Sequence, residues 1–183
     1  METPNVLIAV TGSIAAYRTC DVARSLEKRK IPCSVVMTRN AERFVGRVTF
    51  EAICSGKVFT DDWEQGMVHI DARNLGALLA VVPATANILA KMAHGIADDL
   101  VSSTYLAGHC PVLVAPAMNP FMYASKPVQR NLRTLREDGV AIIDPVEGEV
   151  VCGDTGQGKM ADVALIVERI VEAYRSAVQR TVA

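Results

Sequence analysis

The stretch Val6-Leu7-Ile8-Ala9-Val10, followed at once by Thr11-Gly12-Ser13-Ile14-Ala15-Ala16, decides the fold. Five apolar residues in a row, bounded by a turn, read as a strand buried on both faces. A helix follows from about Ile14 to Lys30. The same alternation recurs downstream. Strands are predicted at Cys33–Met37, Leu78–Val82, Val112–Ala115 and Val140–Ile143. Helices are predicted near Ala86–Ala93 and Asp99–Ala107, and over a segment in which Val128, Leu132 and Leu135 mark one face before Gly139. A last helix carries Val163, Ile166, Val167, Ile170, Val171, Tyr174 and Val178 on one stripe. Apolar strands separated by helices imply a parallel sheet covered on both sides. The expected fold is α/β: a three-layer doubly wound, Rossmann-like or flavodoxin-like parallel sheet forming a single domain over residues 1–183. One stretch, Asp144–Lys159, has no apolar period and is read as an irregular, glycine-rich functional loop.

Composition narrows the function classes. The chain has 183 residues, half of them apolar, which suits one globular domain. Nineteen basic and twenty acidic residues give a net charge of −1, so no nucleic-acid or anionic-membrane footprint is expected. The N-terminus, Met1-Glu2-Thr3-Pro4-Asn5, lacks the basic region of a signal peptide, and the apolar runs are too short to span a bilayer. A cytoplasmic location is expected. Cys20, Cys33, Cys54, Cys110 and Cys152 form no CxxC pair and have no accompanying His pair, so neither a zinc site nor a disulfide framework is expected.

In open α/β sheets, ligands bind outside the carboxyl ends of the strands. There the chain places Thr11-Gly12-Ser13, Thr38-Arg39-Asn40, Pro83-Ala84-Thr85-Ala86-Asn87 and Pro116-Ala117-Met118-Asn119. Taken singly, each reads as a capped helix start; the first is either that or a phosphate turn. Taken together, they point to one cofactor cleft. Pro83 is expected to end its strand, and Asp98 and Asp99 to cap a helix. His69 lies just ahead of an expected helix, where a lone histidine is either structural or catalytic. Cys152, in Val151-Cys152-Gly153-Asp154, is less easily read as a core residue than the other four thiols.

Four segments together resemble the homo-oligomeric flavin-containing cysteine decarboxylases. They are Thr11–Tyr17, His69-Ile70, Pro83–Asn87 and Pro116-Ala117-Met118-Asn119-Pro120-Phe121-Met122, the last similar to that family's PxMNxxM signature. Val151–Met160 is similar to the Cys-Gly-Asp loop of one branch, the 4′-phosphopantothenoylcysteine decarboxylases of coenzyme A synthesis. Tyr123 departs from the pattern, because many relatives carry Trp there.

The resemblance implies FMN as cofactor. Its contacts would be Gly12, Ser13 and Ile14; Thr38, Arg39 and Asn40; Thr85, Ala86, Asn87 and Ile88; and Met118, with Ser102 and Ser103 as weaker candidates. It implies His69 as the active-site base, Asn119 as the group binding the substrate carboxylate and Cys152 as the proton donor. It also implies a homotrimer or dodecamer, with His69 presented to a flavin held largely by a neighbouring subunit. Many bacterial relatives carry a second, synthetase domain, for which these 183 residues leave no room, so the expectation is that the synthetase is a separate protein, that this chain is an excised domain, or that the substrate differs.

The residue types suit the chemistry. Oxidising a cysteine CH₂–SH to the thioaldehyde level creates an electron sink beside the carboxylate, and a flavin can take the hydride. A histidine can remove the thiol proton. After CO₂ leaves, a thiol can protonate the enethiolate carbon as the hydride returns. Two alternatives remain open. One is a peptidyl-cysteine decarboxylase of peptide natural-product synthesis, which stops at the enethiol. The other is a non-catalytic flavin-binding regulatory or electron-transfer protein.

Overall fold

A computed structural model describes residues 4–63 and 66–182; the N-terminal reading at Met1–Thr3 lies outside them. The elements in chain order are β1 (Asn5–Val10), α1 (Ala16–Lys28), β2 (Cys33–Met37), α2 (Arg47–Ile53), β3 (Val58–Phe59), α3 (Val68–Leu75), β4 (Gly76–Ala84), α4 (Ala86–His94), α5 (Leu100–Ala107), β5 (Val112–Pro116), α6 (Pro120–Ala124), α7 (Lys126–Glu137), β6 (Ala141–Ile142), β7 (Val146–Glu149), β8 (Thr155–Lys159) and α8 (Val163–Val182).

Six strands form one sheet in the order β3-β2-β1-β4-β5-β6, every neighbouring pair parallel. The alternating pleat sends successive side chains to opposite faces. Val6, Ile8, Val10, Val35, Leu78, Ala80 and Leu113 meet α1 and α8 through Val22, Leu26, Ile166 and Ile170. Leu7, Ala9, Val36, Leu79, Val81 and Val114 meet the opposite layer through Ala72, Leu89, Val101 and Leu132. This is the three-layer, doubly wound arrangement expected from the uninterrupted apolar strands. The chain runs outward from β1 to β3 and then returns past β1 to β4. That reversal opens a crevice at the carboxyl ends of β1 and β4.

Several local expectations need correction. β4 does not stop at Pro83 but continues to Ala84, which pairs with Pro116 across a register shift. The missing N–H of a proline is tolerated where the ladder is already irregular. His69 lies inside α3, not ahead of it. The short elements β3, α2 and α6 were not expected. The stretch Asp144–Lys159 is not irregular: β7 and β8 form an antiparallel hairpin with Glu147 opposite Gln157 and Glu149 opposite Thr155. Its alternate residues are exposed, so it needs no apolar period. Among the described residues, no helix is long and apolar enough to cross a membrane.

Candidate active site

Thr11, buried at the end of β1, ties the two sides of the crevice together. Its hydroxyl donates to the Pro83 carbonyl at 2.7 Å and accepts the Thr85 N–H at 3.2 Å. Thr19 of α1 donates to the Val82 carbonyl at 2.8 Å, a second strap across the same junction. Thr85 caps α4 by accepting the Ile88 N–H at 3.3 Å. Ser13 Oγ accepts the Ala15 N–H at 3.3 Å, closing the turn ahead of α1.

Gly12 is required by a close approach. A β-carbon there would fall 2.6 Å from Cβ of Asn40, so the turns after β1 and β2 form one continuous surface. The cleft at this edge is about 1170 Å³ and is walled by Gly12, Ser13, Ile14, Thr85, Ala86 and Asn87 on one side and by Met118, Asn119, Met122 and Cys152 on the other. Its apolar wall lies open, with Tyr17 60% and Val151 84% exposed. Small residues, a backbone-lined turn, a capped helix start and a large, partly apolar cleft fit a flavin mononucleotide.

The other expected cofactor residues are placed less directly. Thr38 follows β2, where its Oγ1 accepts the Ala41 N–H at 3.2 Å, and Arg39 and Asn40 beside it are exposed. The Ile88 side chain is buried in the core, and its N–H is already taken by Thr85. Ser102 is 1% exposed and sits in the capping box of α5. Its Oγ accepts the Asp99 N–H at 3.1 Å and donates to the Asp99 carbonyl at 3.0 Å. Ser103 lies beside it, half-buried. Asp99 therefore caps a helix as expected, while Asp98 pairs with Lys91 at 2.6 Å.

Asn119 and Cys152, 33 residues apart, come together. Asn119 caps α6, its Oδ1 accepting the Phe121 N–H at 2.8 Å, and its Nδ2 donates to Cys152 Sγ at 3.2 Å. Asp154 joins them: Asn119 Nδ2 donates to its Oδ2, and Cys152 Sγ lies 3.4 Å from the same oxygen. The β7–β8 hairpin carries Cys152 and Asp154 to Asn119 because Met118 N–H donates to the Gly158 carbonyl at 2.9 Å. Arg18 reinforces this dock by donating to the Met160 carbonyl at 3.3 Å. Tyr123 takes the aromatic position with its ring buried and its hydroxyl 3.3 Å from Asp144 Oδ1. Burial, with Asp144 beside it, raises the phenol above its ordinary range.

His69 is not brought to this cleft. It stands on α3, half-buried, within the electrostatic reach of Asp62. Burial, with Asp99 and Asp61 nearby, pushes the Asp62 carboxyl up, and His69 pulls it the other way. Sequence reasoning assigned no separate role to Thr11, Arg18 or Asp154. Thr11 could have been noticed as the first polar residue after an unbroken apolar run.

Comparisons with known proteins agree with this geometry. The Flavoprotein family pattern matches residues 1–175. The chain is 41% identical over 172 residues to the coenzyme A biosynthesis bifunctional protein CoaBC of Bacillus subtilis, covering 92% of this chain and 42% of that protein. It thus spans about two-fifths of the bifunctional relatives it matches. It is 36% identical to a probable phosphopantothenoylcysteine decarboxylase of Streptococcus mutans, covering 93% of this chain and 98% of that one. Among solved structures, the FMN-dependent cysteine decarboxylase SpaF superposes with a TM-score of 0.82 at 35% identity, covering 96% of this chain and 98% of that one. A cysteine-to-serine mutant of PPC decarboxylase complexed with pantothenoylaminoethenethiol superposes with a TM-score of 0.83 at 26% identity, covering 95% and 100%. With the family pattern running through nearly all of its length, this chain belongs to the Flavoprotein family.

Proposed function

We propose that this chain is an FMN-dependent carboxy-lyase that converts 4′-phosphopantothenoylcysteine to 4′-phosphopantetheine in coenzyme A biosynthesis. The observation that carries the reading is the meeting of Asn119 and Cys152 at 3.2 Å on the rim of a flavin-sized cleft. The similarity to a phosphopantothenoylcysteine decarboxylase over 98% of that protein supports it.

Gly12, Ser13 and Ile14, the Thr38–Asn40 turn, Thr85, Ala86, Asn87 and Met118 would hold the cofactor. When bound, FMN supplies a two-electron acceptor for the cysteine CH₂–SH group and gives the hydride back once CO₂ has left. The protein's own groups do the rest. Oδ1 of Asn119 is held by Phe121, so the side chain presents only N–H donors, which suit a carboxylate. His69 takes the substrate thiol proton. Cys152, carried by the hairpin docked at Met118, delivers a proton to the enethiolate carbon.

The working unit is a homotrimer, or a dodecamer built from trimers. The position of His69 on α3, away from the cleft its own chain forms, supports a base lent to a neighbouring copy. Residues 1–183 act as one FMN-binding domain, and the enzyme works in the cytoplasm on a small molecule, without nucleic acid or membrane.

Incubating FMN-loaded protein with 4′-phosphopantothenoylcysteine and weighing the products by mass spectrometry tests this. Loss of CO₂ with release of the saturated thiol is expected. Turnover only of a peptide ending in cysteine, stopping at the enethiol, would support the peptidyl-cysteine alternative. No turnover of either would leave a flavin-binding protein without this chemistry.

A further inference from the structure

Both side-chain N–H groups of Asn119 are occupied. Phe121 holds Oδ1 at 2.8 Å and so fixes which way the amide faces. One donor goes to Cys152 Sγ at 3.2 Å and the other to the Asp154 carboxylate. An amide NH₂ has two hydrogens, and a carboxylate only accepts. A substrate carboxylate that binds Asn119 must therefore replace a partner already present, and one of those partners is the same chemical group.

We infer that Asp154 is a stand-in for the substrate carboxylate, seated on Asn119 until substrate displaces it. The inference rests on the carboxy-lyase reading and deepens it. Asp154 is well placed for an exchange. It lies one residue beyond Gly153, whose φ of 86° shapes the hairpin tip. That tip is closed on itself, with Val150 N–H donating to the Asp154 carbonyl at 2.9 Å and Gly153 N–H donating to the Val150 carbonyl at 2.8 Å. Cys152 shares this turn, so a carboxylate arriving at Asn119 also frees the thiol from Asp154. Asp154 thereby sets how strongly the site discriminates a ligand with a carboxylate from one without. It is a specificity-determining residue that acts through Asn119.

The probes are N-acetylcysteine and N-acetylcysteamine, which differ only in the carboxylate. Each is titrated into FMN-loaded wild type, Asp154→Asn and Asp154→Ala while the Asn119 side-chain amide signals are followed by NMR. Charge-assisted hydrogen bonds are about twice as strong as neutral ones, so Asp154→Asn should bind N-acetylcysteine about fivefold more tightly, and Asp154→Ala at least as tightly. Affinity for N-acetylcysteamine should stay within about twofold of wild type, because it makes no demand on Asn119. Equal tightening for both probes, or unchanged, weaker or absent N-acetylcysteine binding in Asp154→Ala, would overturn the inference. Failure of the wild type to decarboxylate 4′-phosphopantothenoylcysteine is a separate outcome. It would sink the proposed substrate and leave this comparison of fragments to be judged on its own result.

Discussion

Gly158 lies so close to Met118 that a β-carbon on it would sit 2.5 Å from the Met118 carbonyl oxygen. The neighbouring hydrogen bond, from Met118 N–H to the Gly158 carbonyl, needs that proximity. Gly158→Ala should therefore push the hairpin off the Met118-Asn119 segment. Overpacking of this kind costs roughly 1–3 kcal/mol. We expect normal flavin content, modestly lower stability in urea and a kcat reduced by at least about tenfold. Wild-type kcat in a folded Gly158→Ala protein would show that the dock is not needed for turnover.

Cys152→Ser should separate the two halves of the proposed reaction. Serine keeps the size of the side chain and a hydroxyl but is a much weaker acid than a thiol. CO₂ release should continue, with the cofactor left reduced until oxygen or another acceptor restores it, while protonation of the enethiolate fails. Mass spectrometry should find an enethiol two hydrogens lighter than the normal product. Saturated thiol at the wild-type rate would remove Cys152 from the role of acid.

Gly12→Asp should abolish flavin binding. The new β-carbon would collide with Asn40, and the added charge would repel a phosphate. Purified variant protein should lack the flavin absorbance expected of the wild type. Full occupancy would move the cofactor away from the end of β1.

His69→Asn should keep flavin and lose decarboxylation. Mixed with Gly12→Asp protein under conditions that exchange subunits, it should regain part of the activity, because each variant retains what the other lacks. If exchange is verified by mass and no activity returns, the base and flavin do not belong to different copies.

Stability should fall at alkaline pH. Burial pushes the Cys54 thiol from 9.0 up to about 12, with Glu27 adding to the shift, and burial raises Cys33 further still. Unfolded thiols ionise near their ordinary value, so this contribution is whole below pH 9 and is lost as pH rises toward the folded value of Cys54, about 12. Each thiol should remove about 1 kcal/mol between pH 8 and pH 10. Urea unfolding at the two values checks this, and Cys54→Ala should flatten the decline.

The main sheet was legible because β1 and β5 carry short apolar runs, because β2 is apolar except for the buried Ser34, and because α8 repeats its apolar residues at helical spacing. The start of α3 was misplaced, after His69, because only Val68 and Ala72 are buried in that helix, too few to mark where its face begins. The hairpin escaped because its strands pair only with each other and carry glycines where side chains would collide. A β-carbon on Gly156 would fall 2.9 Å from Pro120. The Cys-Gly-Asp run could be noticed in one dimension. Its docking onto Asn119, which gives Asp154 a partner 35 residues away, is a property of the folded chain.

The β7–β8 ribbon forms a sheet of its own, joined to the α/β body near Met118 and Pro120 and not by strand pairing. Change can therefore reach the hairpin wall of the cleft while the β1–β4 junction, strapped by Thr11, stays in place. A descendant could lose the thiol and still hold the same coloured cofactor, halting with an unsaturated product. One scaffold thus offers evolution two separable dials: which electrons are moved, and how far the substrate travels before it is let go.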